Sequence, residues 1–333
     1  MARRRIEDKE HNEFVRDGVD EHRPTKIATE RLLADQSSEL GEAIHNKQQE
    51  IVSALKQSYG APFFEGQGFV LFNDDCASLL KAIQEAQIQL DLTVTSPPYN
   101  IGKEYEQNMA VDNYVKWCAS WMNQIYETTS TTGAFWLNLG YFEVPNRGQC
   151  VPITYLLWDK SPFYLQQEVV WHYGAGVSSK KRLCPRNEKW LFYIKDPKDY
   201  VFNLDDIRDP NVKYPNQKKN GKFRCNPLGK NPSDVWEFPK VTTGKNRSSK
   251  ERCKHPAQFP LKVIERIILA SSNQGQVVFD PFAGSCSTGI AAMGLNRVFV
   301  GSEINAQYCE MAVERYERFL KERKDSSAQC KLF

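Results

Sequence analysis

The hexapeptide TSPPYN at residues 95–100 contains residue types suited to holding an amine. It follows an apolar run that predicts a buried strand, so Ser96 falls at the carboxyl edge of a sheet, where open α/β folds bind ligands. Neither Pro97 nor Pro98 has a backbone N–H. The Ser96 hydroxyl and the Pro97 carbonyl can therefore accept hydrogen bonds from an amine, and the Tyr99 ring offers a flat surface for a planar heterocycle. Taken alone, the hexapeptide is equally well explained as a rigid turn before a helix.

A second stretch, VVFDPFAGSCSTGIAA (277–292), has the pattern of a strand, a small-residue turn and a helix. Gly284 lets a ligand approach the backbone closely, and the unpaired amides of the following helix suit a carboxylate or phosphate. Glu303 comes about 20 residues later at the tip of the next predicted strand, where nucleotide-binding α/β folds place an acid on ribose hydroxyls. The dinucleotide fingerprint GxGxxG is absent, since 284–289 reads GSCSTG. The alternative interpretation is a tight βα turn with a surface glutamate.

A third stretch, KHPAQFP (254–260), stands at the entrance of a predicted helix. His255 and Gln258 either lie near a ligand or cap that helix. On their own, these residue types favour capping.

The basic residues are concentrated in one segment. Residues 174–254 contain 20 Lys and Arg against 9 Asp and Glu, a net charge of +11, whereas the rest of the chain has 24 against 32, a net charge of −8. A basic segment within an acidic body suggests a polyanionic partner such as nucleic acid. A solvated, lysine-rich loop region is the alternative.

The composition indicates a globular protein, with 41% hydrophobic and 26% charged residues. No run approaches the ~18 apolar residues of a membrane span, and the amino terminus lacks the apolar stretch of a signal peptide. The nine cysteines include no closely spaced pair, which argues against a zinc site, and their odd number argues against a disulfide framework. We therefore expect reduced thiols, no metal and a cytoplasmic location.

Predicted strands and helices alternate along most of the chain, which predicts an α/β fold with a doubly wound, mostly parallel sheet. Strands are predicted over 69–75, 90–95, 133–140, 164–173, 190–196, 276–282 and 297–304, and helices over 76–87, 111–128, 151–160, 255–272, 287–295 and 306–323. We divide the chain into a polar, helical extension (1–60) that begins with a basic arm, a first half of the α/β domain (61–173), the basic insert (174–254), a second half (255–323) and a tail (324–333).

Together, the three stretches resemble motifs of the S-adenosylmethionine-dependent amino-methyltransferases of DNA restriction–modification systems. TSPPY resembles their catalytic motif, Asp/Ser/Asn-Pro-Pro-Tyr/Phe, DPFAGSCSTG resembles their cofactor motif, and HPAQFP resembles the segment that precedes it. The catalytic motif comes first, as in the permuted β group, and its serine form is most often seen in cytosine-N4 enzymes. The resemblance covers about 69–320. It departs at Ser287, which replaces a threonine, and at Cys286, where a side chain replaces the usual glycine and is expected to narrow the turn.

The resemblance implies a Rossmann-like methyltransferase sheet with permuted motif order and an inserted DNA-recognition region. It implies S-adenosylmethionine as cofactor, no metal, and double-stranded DNA as partner. The catalytic residues it implies are Ser96, Pro97, Pro98 and Tyr99. The cofactor-binding residues are Asp75 (from NDDCASLL), His255, Asp280, Pro281, Phe282, Gly284, Ser285, Ser287, Thr288 and Glu303. The candidate DNA-binding residues, taken from the basic insert, are Arg182, Arg186, Arg224, Lys245 and Arg247.

The expected activity is methyl transfer to cytosine N4 in duplex DNA, by base flipping and direct in-line transfer. Adenine N6 is the nearest alternative, because both exocyclic amines fit the same acceptor pair. Further alternatives are a non-catalytic DNA-binding protein and a methyltransferase for RNA or a protein side-chain amide. A homodimer and a separate cognate restriction endonuclease are compatible with the expected activity, and neither follows from the residues.

Overall fold

The computed structural model describes residues 26–102, 109–176, 178–242, 249 and 251–330, with side chains described between 38 and 325. Contacts divide the chain into two units, Met1–Glu39 and Leu40–Phe333. Of the first unit, the structure describes residues 26–39, which form the start of helix α1. The sheet and the site belong to the second unit. The basic arm predicted at the amino terminus lies outside the described residues.

Helices and strands alternate as the sequence predicts. The helices are α1 (Lys26–Ser58), α2 (Cys76–Glu85), α3 (Val111–Thr128), α4 (Thr154–Leu157), α5 (Leu261–Ser271), α6 (Ser287–Gly294) and α7 (Ala306–Cys330). The strands are β1 (Phe64–Gly66), β2 (Phe69–Phe72), β3 (Leu90–Thr95), β4 (Thr129–Leu139), β5 (Tyr141–Val144), β6 (Gly148–Pro152), β7 (Tyr164–His172), β8 (Asn187–Ile194), β9 (Lys218–Lys219), β10 (Lys222–Phe223), β11 (Val235–Glu237), β12 (Val277–Asp280) and β13 (Val298–Ser302).

The main sheet is mixed and has nine strands in the order β1-β2-β13-β12-β3-β4-β8-β7-β11. The strands from β2 to β4 in this order are parallel neighbours, and β8 runs antiparallel to both β4 and β7. From β3 the chain continues to β4 on one side, and from β12 it continues to β13 on the other. The strand order therefore reverses between β3 and β12, and such a switch point is where doubly wound sheets bind ligands. This arrangement confirms the predicted fold class.

Strand side chains alternate between two buried apolar layers. In β2, Val70 and Phe72 face the layer that contains α2 and α3, whereas Phe69 and Leu71 face the layer that contains α5 and α6. Burial on both faces explains why the parallel strands are continuous apolar runs rather than alternating ones. The same burial fixes the register, since a one-residue slip would exchange the two layers.

Several boundaries differ from the prediction. The helix predicted from 255 begins only at Leu261, with Pro260 as its N-cap, because a proline-rich entrance cannot supply helical amides. The helix predicted over 151–160 shortens to α4, since residues up to Pro152 pair in the unpredicted β5–β6 hairpin. Helix α7 continues to Cys330.

Two strands from the predicted basic insert belong to the main sheet. β8 pairs with both β4 and β7, and β11 pairs in parallel with β7. The division of the chain into domains stays a prediction, and the irregular part of the insert falls between these two strands and after β11.

Candidate active site

A cavity of about 510 Å³ opens at the carboxyl edge of the sheet, where β3 and β12 end. Its volume lies within the range of about 300–1,000 Å³ that is usual for small-molecule sites. Ser96, Pro97, Pro98 and Tyr99 line it from the β3 side. The predicted cofactor residues also line it, namely Asp75, His255, Asp280, Pro281, Phe282, Gly284, Ser285, Ser287, Thr288 and Glu303. The structure thus brings the predicted catalytic and cofactor residues into one cavity.

The Ser-Pro-Pro-Tyr segment is held by a chain of hydrogen bonds. The Ser96 hydroxyl donates to Tyr99 Oη at 3.0 Å, and Tyr99 Oη donates to Asn138 Oδ1 at 2.6 Å. The Pro98 carbonyl accepts from the Tyr114 hydroxyl at 2.8 Å. The Tyr114 hydroxyl thus holds the Pro98 carbonyl, and Ser96 and Pro97 both line the cavity.

Two further contacts fix the Tyr99 ring and the end of the segment. A Cβ at Gly140 would lie 2.8 Å from Tyr99 Cε2, so the ring requires a glycine at this position on the chain after β4. Asn100 has a φ of +59°, and its side chain bonds both backbone groups of Met109, at 2.7 and 2.8 Å. Asn100 therefore ties the two ends of the segment between 100 and 109 together.

Asp280 lies at the end of β12 and is fully buried among donors. Its Oδ1 accepts from Thr95 Oγ1 at 2.6 Å and from the Phe282 amide at 3.1 Å, and its Oδ2 accepts from Thr288 Oγ1 at 2.8 Å. Burial raises the pKa of Asp280 to about 6, although these three donors act in the opposite direction. Asp280 thus joins both strand ends to α6, in addition to lining the cavity.

Glu303, at the tip of β13, holds the glycine turn. Its Oε2 accepts from the Gly284 amide at 2.8 Å and its Oε1 accepts from the Asn305 amide at 2.9 Å. Burial raises the pKa of the Glu303 carboxyl, and these backbone donors oppose the shift. A carboxylate has about four acceptor sites, so two backbone bonds leave capacity for the hydroxyls of a ribose. Glu303 is thus partly buried and bonded to the turn, and its contact with a ribose stays a prediction.

The turn itself uses left-handed backbone at two positions. Gly284 has a φ of +51°, and a Cβ there would lie 3.0 Å from His255 Nε2. Cys286 has a φ of +54°, a conformation that explains why glycine is usual at this position. Its side chain is fully buried in the apolar layer beside α6, away from the cavity lining. The expectation that Cys286 narrows the cofactor turn is therefore wrong.

A buried arginine supports this turn from behind. Arg315 on α7 donates to the Ser285 carbonyl and, at 3.3 Å, to Ser287 Oγ. Ser287 Oγ in turn donates to the Phe259 carbonyl at 3.0 Å. The Ser287 and Thr288 hydroxyls are thus bonded within the protein, and their part in cofactor binding stays a prediction.

The segment before α5 is fixed by residues other than those expected. Leu261 N, the first amide of the helix, donates to Glu251 Oε1 at 2.7 Å, so the Glu251 carboxylate supplies the acceptor that the N-cap Pro260 lacks. Gln258 is buried and bonds backbone groups of Glu251 and Cys253. His255 packs edge-on against Tyr308 with ring centroids 4.5 Å apart. The capping interpretation of His255 and Gln258 is therefore wrong, and His255 instead packs beside the glycine turn.

Asp75 caps a helix and also lines the cavity. It is the N-cap of α2, with Oδ2 accepting from the Ala77 amide at 3.1 Å and the Ser78 amide at 3.2 Å. It also lines the cavity. The cap fixes the Asp75 carboxylate beside the cavity, and its contact with the cofactor adenine stays a prediction.

The far side of the cavity contains polar and aromatic residues that the sequence analysis missed. Lys240 Nζ bonds Glu188 Oε1 at 2.6 Å and lies 4.0 Å from the centroid of the Tyr173 ring. Trp171, Glu188 and Lys240 all line the cavity. No local pattern marks Lys240, whereas Asn138 could have been found as the single amide within the apolar run FWLNL.

The candidate DNA-binding residues divide into three groups. Arg182 and Arg224 are exposed, and Arg224 bonds Gln217 Oε1 at 3.1 Å. Arg186 is partly buried beside Gly176, with Nη1 bonded to the Pro185 carbonyl at 2.9 Å. Lys245 and Arg247 lie outside the described residues. The assignment of these residues to DNA stays a prediction.

Across the described part of the chain, no group of three or more His, Cys, Asp or Glu side chains has the geometry to hold a metal ion. Within the same part, no helix has both the length and the apolarity needed to cross a membrane.

The cavity lies at the switch point of the sheet, with the Ser-Pro-Pro-Tyr segment at one strand end and a glycine turn held by Glu303 beside the neighbouring strand end. This arrangement fits a nucleotide-cofactor enzyme of the amino-methyltransferase class. Residues 90–314 match the N6/N4 family described as DNA methylase, and the chain belongs to this family. It is accordingly a DNA methyltransferase, with type II methyltransferases among its relatives.

The similar proteins include one named as an adenine methyltransferase and one solved structure named as a cytosine-N4-specific methyltransferase. The chain is 56% identical over 280 residues to the type II methyltransferase M.ScaI of Streptomyces caespitosus. The matched residues make up 84% of this chain and 90% of M.ScaI. The chain is 32% identical over 263 residues to the DNA adenine methyltransferase YhdJ of Escherichia coli K12, covering 76% of this chain and 84% of YhdJ. Among solved structures, the cytosine-N4-specific PvuII DNA methyltransferase superposes with a TM-score of 0.59 at 17% identity, covering 78% of this chain and 93% of that chain. At this identity the likeness to PvuII shows the fold.

Proposed function

We propose that the protein methylates cytosine N4 at a specific site in duplex DNA. The observation that carries this proposal is that Ser96 and Pro97, which offer a hydroxyl and a carbonyl as acceptors, line the same cavity as Gly284 and Glu303. An amine bound by the first pair would lie beside a nucleotide cofactor bound by the second. The serine in the catalytic motif favours cytosine over adenine through the family resemblance.

The residues of the cavity fit S-adenosylmethionine, which is the cofactor. The Gly284 turn leaves room that a Cβ would fill, and the Glu303 carboxylate retains acceptor capacity for ribose hydroxyls. Asp75 at the cavity edge is suited to the adenine, and the first amides of α6 are suited to a carboxylate. When bound, the sulfonium of this cofactor supplies an electrophilic methyl group.

The protein's own part in the reaction is to orient and to stabilise. Hydrogen bonds from the exocyclic amine to Ser96 and to the Pro97 carbonyl favour a pyramidal nitrogen and stabilise the positive charge that develops on it. Ser96 is too weak a base to remove the proton, which leaves to water. The target base must leave the duplex, at a cost of a few kcal/mol, and stacking on Tyr99 offsets ~1–3 kcal/mol of it.

The type II methyltransferases among the relatives support a proposal for the cellular setting. We infer that the enzyme is the modification component of a restriction–modification system, acts in the cytoplasm and has a cognate endonuclease as a separate protein. The exposed arginines of the insert would contact DNA phosphates or base edges. A homodimer is a further proposal, which sedimentation of the purified protein tests directly.

Adenine N6 is the second candidate, supported by the 32% identity to YhdJ. One experiment separates the two. The protein is incubated with S-adenosylmethionine and duplex DNA of diverse sequence, and the digested nucleosides are analysed by mass spectrometry. N4-methylcytosine supports the proposal, and N6-methyladenine replaces it with the second candidate. DNA without any methylated nucleoside would overturn both.

A further inference from the structure

Asn138 is a fully buried amide in the otherwise apolar end of β4. Its Oδ1 accepts the 2.6 Å hydrogen bond from Tyr99 Oη, and its Nδ2 donates to the Lys189 carbonyl of β8 at 3.2 Å. Burying an amide is costly unless its groups are paired, and here both groups are paired. The pairing places Asn138 directly behind the Ser-Pro-Pro-Tyr segment.

The direction of this hydrogen-bond chain is fixed by chemistry. A carbonyl accepts only, so Asn138 must turn its NH₂ group toward Lys189 and its oxygen toward Tyr99. The single hydroxyl hydrogen of Tyr99 is therefore given to Asn138. At 3.0 Å from Tyr99 Oη, Ser96 must then be the donor of the bond that joins them.

We propose that Asn138 is a positioning residue that, through Tyr99, fixes the Ser96 hydroxyl as a hydrogen-bond acceptor toward the target amine. The hydroxyl hydrogen of Ser96 is directed to Tyr99, and its lone pairs are left for an N–H group in the cavity. The proposal rests on the proposed function in that Ser96 receives an amine, and it holds for cytosine N4 and adenine N6 alike.

The use of serine explains why such a device is needed. An ionised aspartate at this position would have no hydrogen, so it would always accept. A serine hydroxyl can rotate and donate to the amine nitrogen, which would engage the lone pair that must attack the methyl group. The hydrogen-bond chain removes this unproductive orientation.

A double-mutant cycle tests the proposal by kinetics. Asn138→Leu removes the amide at similar size, and Tyr99→Phe removes the hydroxyl and keeps the ring. Each is expected to lower kcat about tenfold, the effect of losing one hydrogen bond, with the KM for DNA and the cofactor Kd nearly unchanged. In a Ser96→Ala background, Asn138→Leu should cause no further loss of kcat. A further tenfold loss in that background would show that Asn138 acts by supporting the fold and would overturn the proposal.

A spectroscopic measurement tests the same chain without reference to turnover. The ¹³Cζ NMR signal of Tyr99, assigned by its disappearance in Tyr99→Phe, should shift in Asn138→Leu and in Ser96→Ala. The control Asn123→Leu, at an exposed position of α3, should leave it in place. An unchanged signal in Asn138→Leu would overturn the proposal even if that variant were less active. If the signal shifts but the protein methylates neither cytosine nor adenine, the proposed orientation of the Ser96 hydroxyl stands. That result would overturn the proposed function only.

Discussion

Thr95 and Asp280 are joined by a buried hydrogen bond of 2.6 Å that links the carboxyl ends of β3 and β12. The two residues are the last of their strands, and each is the first residue of its motif, TSPPY or DPFAGSCSTG. Because the strand order reverses between β3 and β12, this bond lies at the switch point of the sheet. It ties together the two strand ends from which the Ser-Pro-Pro-Tyr segment and the glycine turn extend.

Replacing Asp280 by asparagine should change how stability depends on pH. The folded-state pKa of about 6 is above the ordinary value of 3.8, so the group favours folding at low pH and this contribution is lost as pH rises through 6. Asp280→Asn removes this dependence. Relative to wild type, the free energy of unfolding of the variant should therefore rise by about 1 kcal/mol between pH 5 and pH 8. Urea unfolding of both proteins at each pH measures the change, and a constant difference between them would contradict the assignment.

The strand ends are the part of the site that a sequence predicts well. Ser96, Gly284 and Glu303 each follow an apolar run, and parallel strands bring their carboxyl ends to one edge. Contacts between side chains distant in sequence were not predictable. Tyr99 and Asn138 are 39 residues apart, and Glu188 and Lys240 are 52 apart. No periodicity relates such pairs, because their proximity depends on how the sheet is ordered.

The same distinction applies to elements of the fold. The buried strands were predicted because an apolar run between turn residues has few other solutions. The β5–β6 hairpin was missed because its residues are mostly half-exposed and carry no strong alternation. The insert was predicted from its charge, yet β8 and β11 within it are held by pairing to β7. The charge of a segment predicts what kind of molecule it binds, but it does not predict which strands it pairs with in the sheet.

Glu303→Gln should weaken cofactor binding. The amide that replaces the carboxylate turns a donor toward either the Gly284 or the Asn305 amide, so one of the two bonds that hold the turn is lost. Loss of a charge-assisted bond predicts a cofactor Kd about tenfold higher, measured by calorimetry. Since burial raises the pKa of Glu303, wild-type affinity should also fall as pH is lowered, and the variant should lack this response. Glu310→Gln, at an exposed position of α7, is the matched control and should leave the Kd unchanged.

Gly140→Ala should slow turnover without affecting the cofactor. The added Cβ would lie 2.8 Å from Tyr99 Cε2, so the ring must move and take the hydrogen bond to Ser96 with it. A displacement of this kind predicts a kcat lower by about 10²-fold, with the cofactor Kd retained. Gly41→Ala is the control, because a Cβ at this position of α1 meets nothing within 4 Å. It should raise stability by about 0.5–1 kcal/mol and keep kcat, and an equal loss of kcat in both variants would contradict the role given to Gly140.

Lys240 and Glu188 should behave as a coupled pair. Lys240→Met leaves the partly buried Glu188 carboxylate without its 2.6 Å partner, which should lower the free energy of unfolding by about 1–3 kcal/mol. Adding Glu188→Gln removes the unpaired charge and should restore most of this loss, as measured by urea unfolding. Because the pair lines the cavity on the side of Trp171, both variants should change the kinetics with DNA more than the cofactor Kd. Additive losses of stability in the double variant would show that the two residues are independent.

Arg182 and Arg224 should contribute to the salt dependence of DNA binding. Both are exposed within the basic insert, so substitution by alanine should leave the unfolding transition unchanged. If each neutralises one phosphate, each substitution should reduce the slope of log K against log salt concentration by about 0.9. Fluorescence anisotropy with labelled duplex DNA at several salt concentrations measures this slope. Lys81→Ala, which removes an exposed charge on α2, is the control and should keep the wild-type slope. A slope equal to wild type in the arginine variants would exclude phosphate contacts, and a loss of sequence preference at unchanged slope would assign those arginines to base edges instead.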